Sequence, residues 1–249
     1  MTSIKGRTVL VTGAGGAIGR ETVLQLLAAG AEAMTIVDIP GSDVESFAAG
    51  CCSAETDVRG YVADVADRSA FGKVVAESLG FMGRVDVLVN VAGYWQIVDF
   101  VDSDPDQWNT MISANLLTAI SACHAVLPQM IEQGDGSIVN FASTAGEYGS
   151  VRPSAAYAAA KGGVISFTKS LAREVSPHGI RVNALSPGPI DTPALKAASE
   201  EARREAADRT LLRRLGQPGD IAAGVVYLAG DSSRFVTGTV LQVNGGSLL

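Results

Sequence analysis

The sequence predicts an α/β fold: one domain, residues 1–249, holding a doubly wound, mostly parallel sheet of seven strands with helices on both faces. Three observations predict it. Short apolar runs without alternation recur along the chain, as strands buried on both faces require. Apolar-periodic helical stretches separate them, so successive strands are joined by right-handed crossovers. The first run ends in a Gly-rich turn and the second in an acid, which is the logic of a dinucleotide site.

Bulk properties narrow the function. A chain of 249 residues is long enough for one α/β domain with a large core. Nineteen basic against 26 acidic residues give a net charge of -7, which argues against nucleic-acid and anionic-membrane partners. No apolar run is read as long enough to span a membrane and no signal-peptide pattern opens the chain, so a cytoplasmic location is expected. The three cysteines, Cys51, Cys52 and Cys123, form no disulfide framework, and no Cys/His spacing suits a metal. His124, in an apolar helical stretch, is expected in the core or at an interface. His178 lies in the helix-ending turn Ser176-Pro177-His178-Gly179. With only these two histidines, Ser-His-Asp hydrolysis starts at a disadvantage.

The elements follow in order. Thr8-Val9-Leu10-Val11 is the first strand, and Thr12-Gly13-Ala14-Gly15-Gly16-Ala17-Ile18-Gly19 the turn. A helix from Ile18 to Ala29 closes at Gly30. Met34 to Val37 is the second strand, with Asp38 at its carboxyl end. Glycines let backbone amides and a helix N-terminus approach a pyrophosphate. Asp38 stands near the offset of a ribose-binding acid and would repel a 2′-phosphate, and neither Ala14 nor Ile39 supplies a cation, so NAD is favoured over NADP. A short helix is expected over Val44 to Ala49. Tyr61 to Val65 reads as the third strand, with Asp64 receiving an adenine amino group or capping the next helix, Arg68 to Leu79. Val85 to Asn90 is the fourth strand, and small residues, Val91-Ala92-Gly93, let a cofactor pass its end.

Tyr94, Trp95 and Tyr148 mark aromatic loops beside the sheet edge. Asp104 to Leu127 reads as one long helix carrying Asn115, which needs partners if buried. Ser137 to Phe141 is the fifth strand, leading to Ser143, Thr144 and a loop, Ala145 to Ser154. The next helix runs to Val175 with Ser154 as its N-cap, and Gly162 and Gly163 suggest close packing against the sheet or a second subunit. Ile180 to Leu185 is the sixth strand, followed by a rigid loop from Pro187 to Thr192. Ala194 to Arg214 is charged and helical, and residues 188–214 form a possible lid. Asp220 to Leu228 is helical, and Val240 to Val243 is the last strand. Open α/β sheets place ligands at the carboxyl ends of their strands, where these residues gather.

Tyr157 and Lys161 are four apart on an Ala-rich helix and share a face. A free tyrosine ionises near pH 10, so to serve as a base near pH 7 it must gain roughly 4 kcal/mol. An ammonium about 5 Å away, at an effective dielectric of about 20, contributes roughly 3 kcal/mol. Lys161 is therefore expected to lower Tyr157 nearly far enough by itself.

Assembled, the chain resembles the short-chain dehydrogenases/reductases over essentially its whole length, on a Rossmann-type fold. The matching stretches are Thr12-Gly13 to Gly19, Asp64-Val65, Asn90 to Gly93, Asn115, Ser143, Tyr157 with Lys161, Pro187 to Thr192, Arg214 to Asp220 and Val243 to Gly246. The resemblance implies that Tyr157 is the general acid/base, that Lys161 binds the nicotinamide ribose, that Ser143 bonds the substrate oxygen and that Asn115 holds a relay water. It implies a coenzyme site from Gly13, Gly16, Ala17, Ile18, Asp38, Asp64, Val65, Asn90, Ala92, Gly93, Tyr157, Lys161, Pro187, Gly188, Ile190 and Thr192. Ala17 stands where the family has Gly, and Val91 where it has Asn. Thr144 holds the usual serine spacing, but a one-residue insertion favours Ser143. The expectation is an NAD-dependent enzyme interconverting a secondary alcohol and its ketone, the alcohol cyclic or aromatic. The alternatives are a ketoacyl-type reductase, a lyase or epimerase, or an NAD sensor. A homotetramer is implied, with Leu248-Leu249 as part of its contact.

Overall fold

Apolar runs become strands here because helices cover both of their faces. In the computed structural model, which describes residues 4–53 and 56–247, seven strands form one sheet in the order β3-β2-β1-β4-β5-β6-β7, every pairing parallel. The elements are β1 (Thr8–Thr12), α1 (Ala17–Ala28), β2 (Ala33–Asp38), α2 (Val44–Cys51), β3 (Asp57–Val62), α3 (Arg68–Met82), β4 (Val87–Asn90), α4 (Pro105–Ile112), α5 (Thr118–Gln133), β5 (Gly136–Phe141), α6 (Thr144–Tyr148), α7 (Ala155–Val175), β6 (Ile180–Pro187), α8 (Pro193–Lys196), α9 (Glu200–Asp208), α10 (Pro218–Ala229) and β7 (Val240–Val243).

The period of two along each strand divides the core. Val9, Val11, Ile36 and Val89 face α1, α2 and α10, meeting Val23, Leu26, Val44 and Val225. Leu10, Leu88, Ile138 and Val182 face α3, α5 and α7, meeting Phe71, Val126, Met130 and Val175. Strand order reverses between β1 and β4, which opens a crevice at their carboxyl ends.

Several expectations are corrected. β3 begins at Asp57 and ends at Val62, so Asp64 and Val65 lie beyond the strand. Its polar residues disguised it: as an edge strand it leaves Asp57, Arg59 and Val62 exposed. The long helix is interrupted by a wider π turn, Ser113–Leu117, and continues past Pro128 to Gln133. This helix, Pro105–Gln133, is long and apolar enough to cross a membrane, where none was read; here it packs on β4, β5 and α7. The 145–154 loop begins as α6, and the helix expected over 194–214 breaks into α8 and α9. His124 is exposed rather than in the core. Leu248 and Leu249 lie outside the described residues.

Candidate active site

The crevice begins with close backbone approach. Gly13 has φ +69°, and a Cβ there would sit 2.5 Å from the Ala92 nitrogen. A Cβ on Gly19 would lie 2.1 Å from the Gly13 carbonyl oxygen. α1 starts at Ala17 with Gly16 as N-cap, and no side chain caps it. The first-turn amides, from Ala17 and Ile18 onward, are thereby left for an anion. A dinucleotide pyrophosphate fits this cradle.

Asp38 closes its outer end. Its carboxylate accepts from the Gly15 N–H at 2.5 Å and from the Ile39 N–H at 2.7 Å. Arg20 is a cation beside the turn, but it donates to the Gly15 carbonyl, pairs with Asp43 and stacks over Phe47. Asp64 is exposed and accepts from the Ala66 N–H, whereas Asp67 caps α3; Val65 is buried. The capping alternative for Asp64 is thus excluded. The Asn90 side chain turns inward: its amide donates to Asn140 at 2.9 Å, beside Cys123 on the α5 face. Position 90 ends β4 with its side chain turned into the core, so the side chain does not reach the crevice. Ala92 and Gly93 come next, the first against Gly13 and the second against Asn115.

The catalytic half is made of buried side chains. Lys161 is 4% exposed, and its ammonium donates to the Phe141 carbonyl at 2.8 Å, 5.8 Å from the centre of the Tyr157 ring. Burial lowers Lys161 to about 8. Burial pushes the Tyr157 phenol up, and a hydrogen bond with Ser143 pulls it down. Burial is the larger of the two, so in the chain alone the phenol stands above its ordinary value. The ammonium is itself desolvated and turned toward a strand carbonyl. Ser143 also caps α6, accepting from the Ala145 N–H at 3.1 Å, while Thr144 is the first residue of that helix. Ser143 is the hydroxyl brought to Tyr157.

Asn115 sits in the π turn, 1% exposed, with its amide fully engaged. Its Oδ1 accepts from the Tyr94 N–H at 3.2 Å, and its Nδ2 donates to the carbonyls of Tyr94 at 2.7 Å and Met111 at 2.9 Å. A Cβ on Gly93 would lie 2.8 Å from Asn115 Oδ1 and 3.4 Å from Lys161 Nζ, so glycine there lets β4, Asn115 and Lys161 converge. Gly146 and Gly163 do the same for α7: a Cβ on either would strike the Lys161 backbone or Leu116. The close packing expected at Gly162 and Gly163 is with α6 and the π turn.

Beyond β6, Gly188 lies against Asn244, Ile190 bridges Gly216, and Thr192 starts α8. Asp191 pairs with Arg203 of α9 at 3.0 Å and with Lys196 at 3.8 Å. The sequence reading missed this tether, and also the fastening of Trp95. The Trp95 indole donates to Ser154 Oγ at 3.3 Å, and the Val98 N–H donates to the Pro153 carbonyl at 2.9 Å. Ser154 starts α7, but its side chain does not cap the helix. Both links join residues far apart in sequence, and no local pattern announces them. A small recess lies beside Tyr157, walled by Val98, Phe100, Trp108, Met111 and Ala155.

Comparison with known proteins agrees with this arrangement. The family model described as Enoyl-(Acyl carrier protein) reductase matches residues 13–247. A 3-oxoacyl-[acyl-carrier-protein] reductase from Thermotoga maritima is 37% identical over 248 residues, 99% of each chain. The chain belongs to the short-chain dehydrogenase/reductase family. Members of this family are oxidoreductases that use a nicotinamide coenzyme on CH–OH or ketone groups. A 2-keto-3-deoxy-L-fuconate dehydrogenase from Xanthomonas campestris is 36% identical over 253 residues, covering 98% of this chain and 81% of that one. Among solved structures, a 3-oxoacyl-[acyl-carrier protein] reductase from Brucella melitensis superposes with a TM-score of 0.90 at 34% identity, covering 98% of this chain and 92% of that one.

Proposed function

We propose that this short-chain dehydrogenase/reductase interconverts a secondary alcohol and its ketone, with NAD as coenzyme and a cyclic or aromatic carbon skeleton in the substrate. The observation that carries the reading is the meeting of Tyr157 and Ser143 above a buried Lys161. Nicotinamide supplies the hydride donor or acceptor. Gly13, Gly16, Ala17 and Ile18 hold the pyrophosphate, and Asp38 the adenosine ribose. Asp64, Val65, Ala92 and Gly93 would hold the adenosine part of the coenzyme. Pro187, Gly188, Ile190 and Thr192 would hold its nicotinamide part. Lys161 binds the ribose hydroxyls there.

Tyr157 moves the proton. Held protonated by burial, it donates to the carbonyl oxygen of a ketone; for an alcohol it must first ionise. Ser143 hydrogen-bonds the same oxygen. Asn115 pins Tyr94 and keeps Lys161 in line with the relay. NAD rather than NADP follows from Asp38, because a carboxylate beside the ribose repels a 2′-phosphate and Arg20 is already paired. Tyr94, Trp95 and Tyr148, each 41–60% exposed, line the approach and favour a flat apolar substrate.

A second reading is reduction of a ketoacyl thioester, favoured by relatives such as the acetoacetyl-CoA reductase of an Acinetobacter species, 36% identical over 241 residues. The two separate in one assay: absorbance of the reduced nicotinamide with NAD or NADP against cyclic alcohols, aromatic alcohols and 3-hydroxyacyl thioesters. A kcat/KM higher for thioesters with NADP would replace the first reading with the second. Residues 188–214 serve as the lid of a single cytoplasmic domain, tethered through Asp191. Exposed Leu117 and Ile131 on the helix that carries His124 suit a homotetramer contact.

A further inference from the structure

The geometry points to Asn140 and Thr168 as positioning residues that set where α7 lies along β5, and so where Tyr157 and Lys161 stand over the crevice. This rests on the proposed roles of those two residues.

Asn140 is fully buried and lies opposite Asn90 in the parallel register of β4 and β5. Its Nδ2 donates to Thr168 Oγ1 at 2.9 Å, and its Oδ1 accepts from Asn90 Nδ2 at 2.9 Å. Cys123 of α5 closes the cluster, its sulfur 3.8 Å from Asn140 Oδ1. None of the four side chains is more than 4% exposed. Four elements therefore meet at one amide: β4, β5, α5 and α7.

The placement on α7 gives the cluster its consequence. Thr168 follows Lys161 by seven residues and Tyr157 by eleven. At 3.6 residues per turn all three lie within about 20° of one helix face. β5 grips that face at successive points: Asn140 bonds Thr168 through its side chain, and Phe141 accepts Lys161 through its carbonyl. Just past the strand, Ser143 meets Tyr157. Val164, Leu171 and Val175 pack the same helix, but apolar contact is non-directional and tolerates sliding. A buried amide left unpaired costs on the order of 1–3 kcal/mol, so the Asn140–Thr168 bond admits one axial position.

The test compares Thr168→Val, which keeps shape and removes the acceptor, with Thr168→Ser, which keeps the hydroxyl. Val126→Ala is the structural control, since it opens space under α5 and touches none of the hydrogen bonds of the cluster. Thr168→Val should lower kcat roughly ten- to a hundredfold, as expected for a catalytic group displaced by about an ångström. It should also shift the pH midpoint of alcohol oxidation, and the phenolate absorbance of Tyr157 taken as the difference from Tyr157→Phe, by about one unit. Thr168→Ser should restore both, and Val126→Ala should lower the melting temperature alone. Thr168→Ala serves if the valine variant does not fold. A Thr168→Val or Thr168→Ala enzyme that melts earlier yet keeps the wild-type pH midpoint and phenolate titration would overturn the assignment. Phenolate titration needs no turnover, so an inactive wild-type enzyme would count against the proposed function and leave this test readable.

Discussion

The two halves of the crevice are built in opposite ways. The half over β1 and β2 consists of backbone and missing side chains: Gly13, Gly15, Gly19 and an uncapped helix end, with Asp38 as its one committed charge. The half over β5 and α7 consists of side chains held by partners from other elements: Lys161 on the Phe141 carbonyl, Tyr157 on the Ser143 hydroxyl, Asn115 on the Tyr94 backbone, and Asn140 on the Thr168 hydroxyl. The first half needs space and amide dipoles, which glycine supplies locally. The second must hold an ammonium and a phenol out of water without losing them to desolvation, and that requires partners from several elements.

The largest test of this contrast is Tyr157→Phe. Losing the proton carrier should cost kcat a factor of about 10³, while NADH fluorescence titration shows coenzyme binding retained. Wild-type-like turnover would end the assignment. Next, Gly19→Ala attacks the other half. Its methyl would lie 2.1 Å from a carbonyl oxygen, so thermal or denaturant unfolding should show a loss of about 3 kcal/mol, with coenzyme affinity falling too. A stable variant that still binds would mean that the cradle is looser than its backbone suggests. Third, Asp38→Ala with Ile39→Arg should move the ratio of kcat/KM for NAD over NADP by about a hundredfold toward NADP, roughly 2.7 kcal/mol. An unchanged ratio would remove Asp38 from the ribose.

A last test concerns Lys161. Its folded value, lowered to about 8, lies below the ordinary 10.5. Between those values the unfolded chain binds more protons, so stability should rise with pH across about 8 to 10.5, and below 8 the burial penalty is present in full. Melting temperatures of the wild-type protein and Lys161→Met across that window should differ in slope. Parallel curves would show that the ammonium is better solvated than its burial implies.

Parts of this were legible because the chemistry is local. The turn after β1, Asp38 at the end of β2 and the four-residue spacing of Tyr157 and Lys161 are short-range patterns, and the structure places each where that spacing implies. β3 was displaced because an edge strand is solvated on one side and lacks the continuous apolar run of its neighbours. No local pattern shows that the Asn90 side chain faces Asn140, a partner fifty residues away on the neighbouring strand. The π turn at Asn115 has no local signature, since its wider register is set by packing against α7 and by the Tyr94 backbone.

By itself, the order of residues determined a parallel sheet, a Gly-rich turn before the first helix and a Tyr–Lys helix, because hydrophobic period, glycine and helical spacing act within a few residues. Tertiary structure alone decided which hydroxyl meets Tyr157, where Asn90 points and what the Lys161 ammonium touches. Those outcomes depend on desolvation and on hydrogen bonds between strands and helices that lie far apart along the chain.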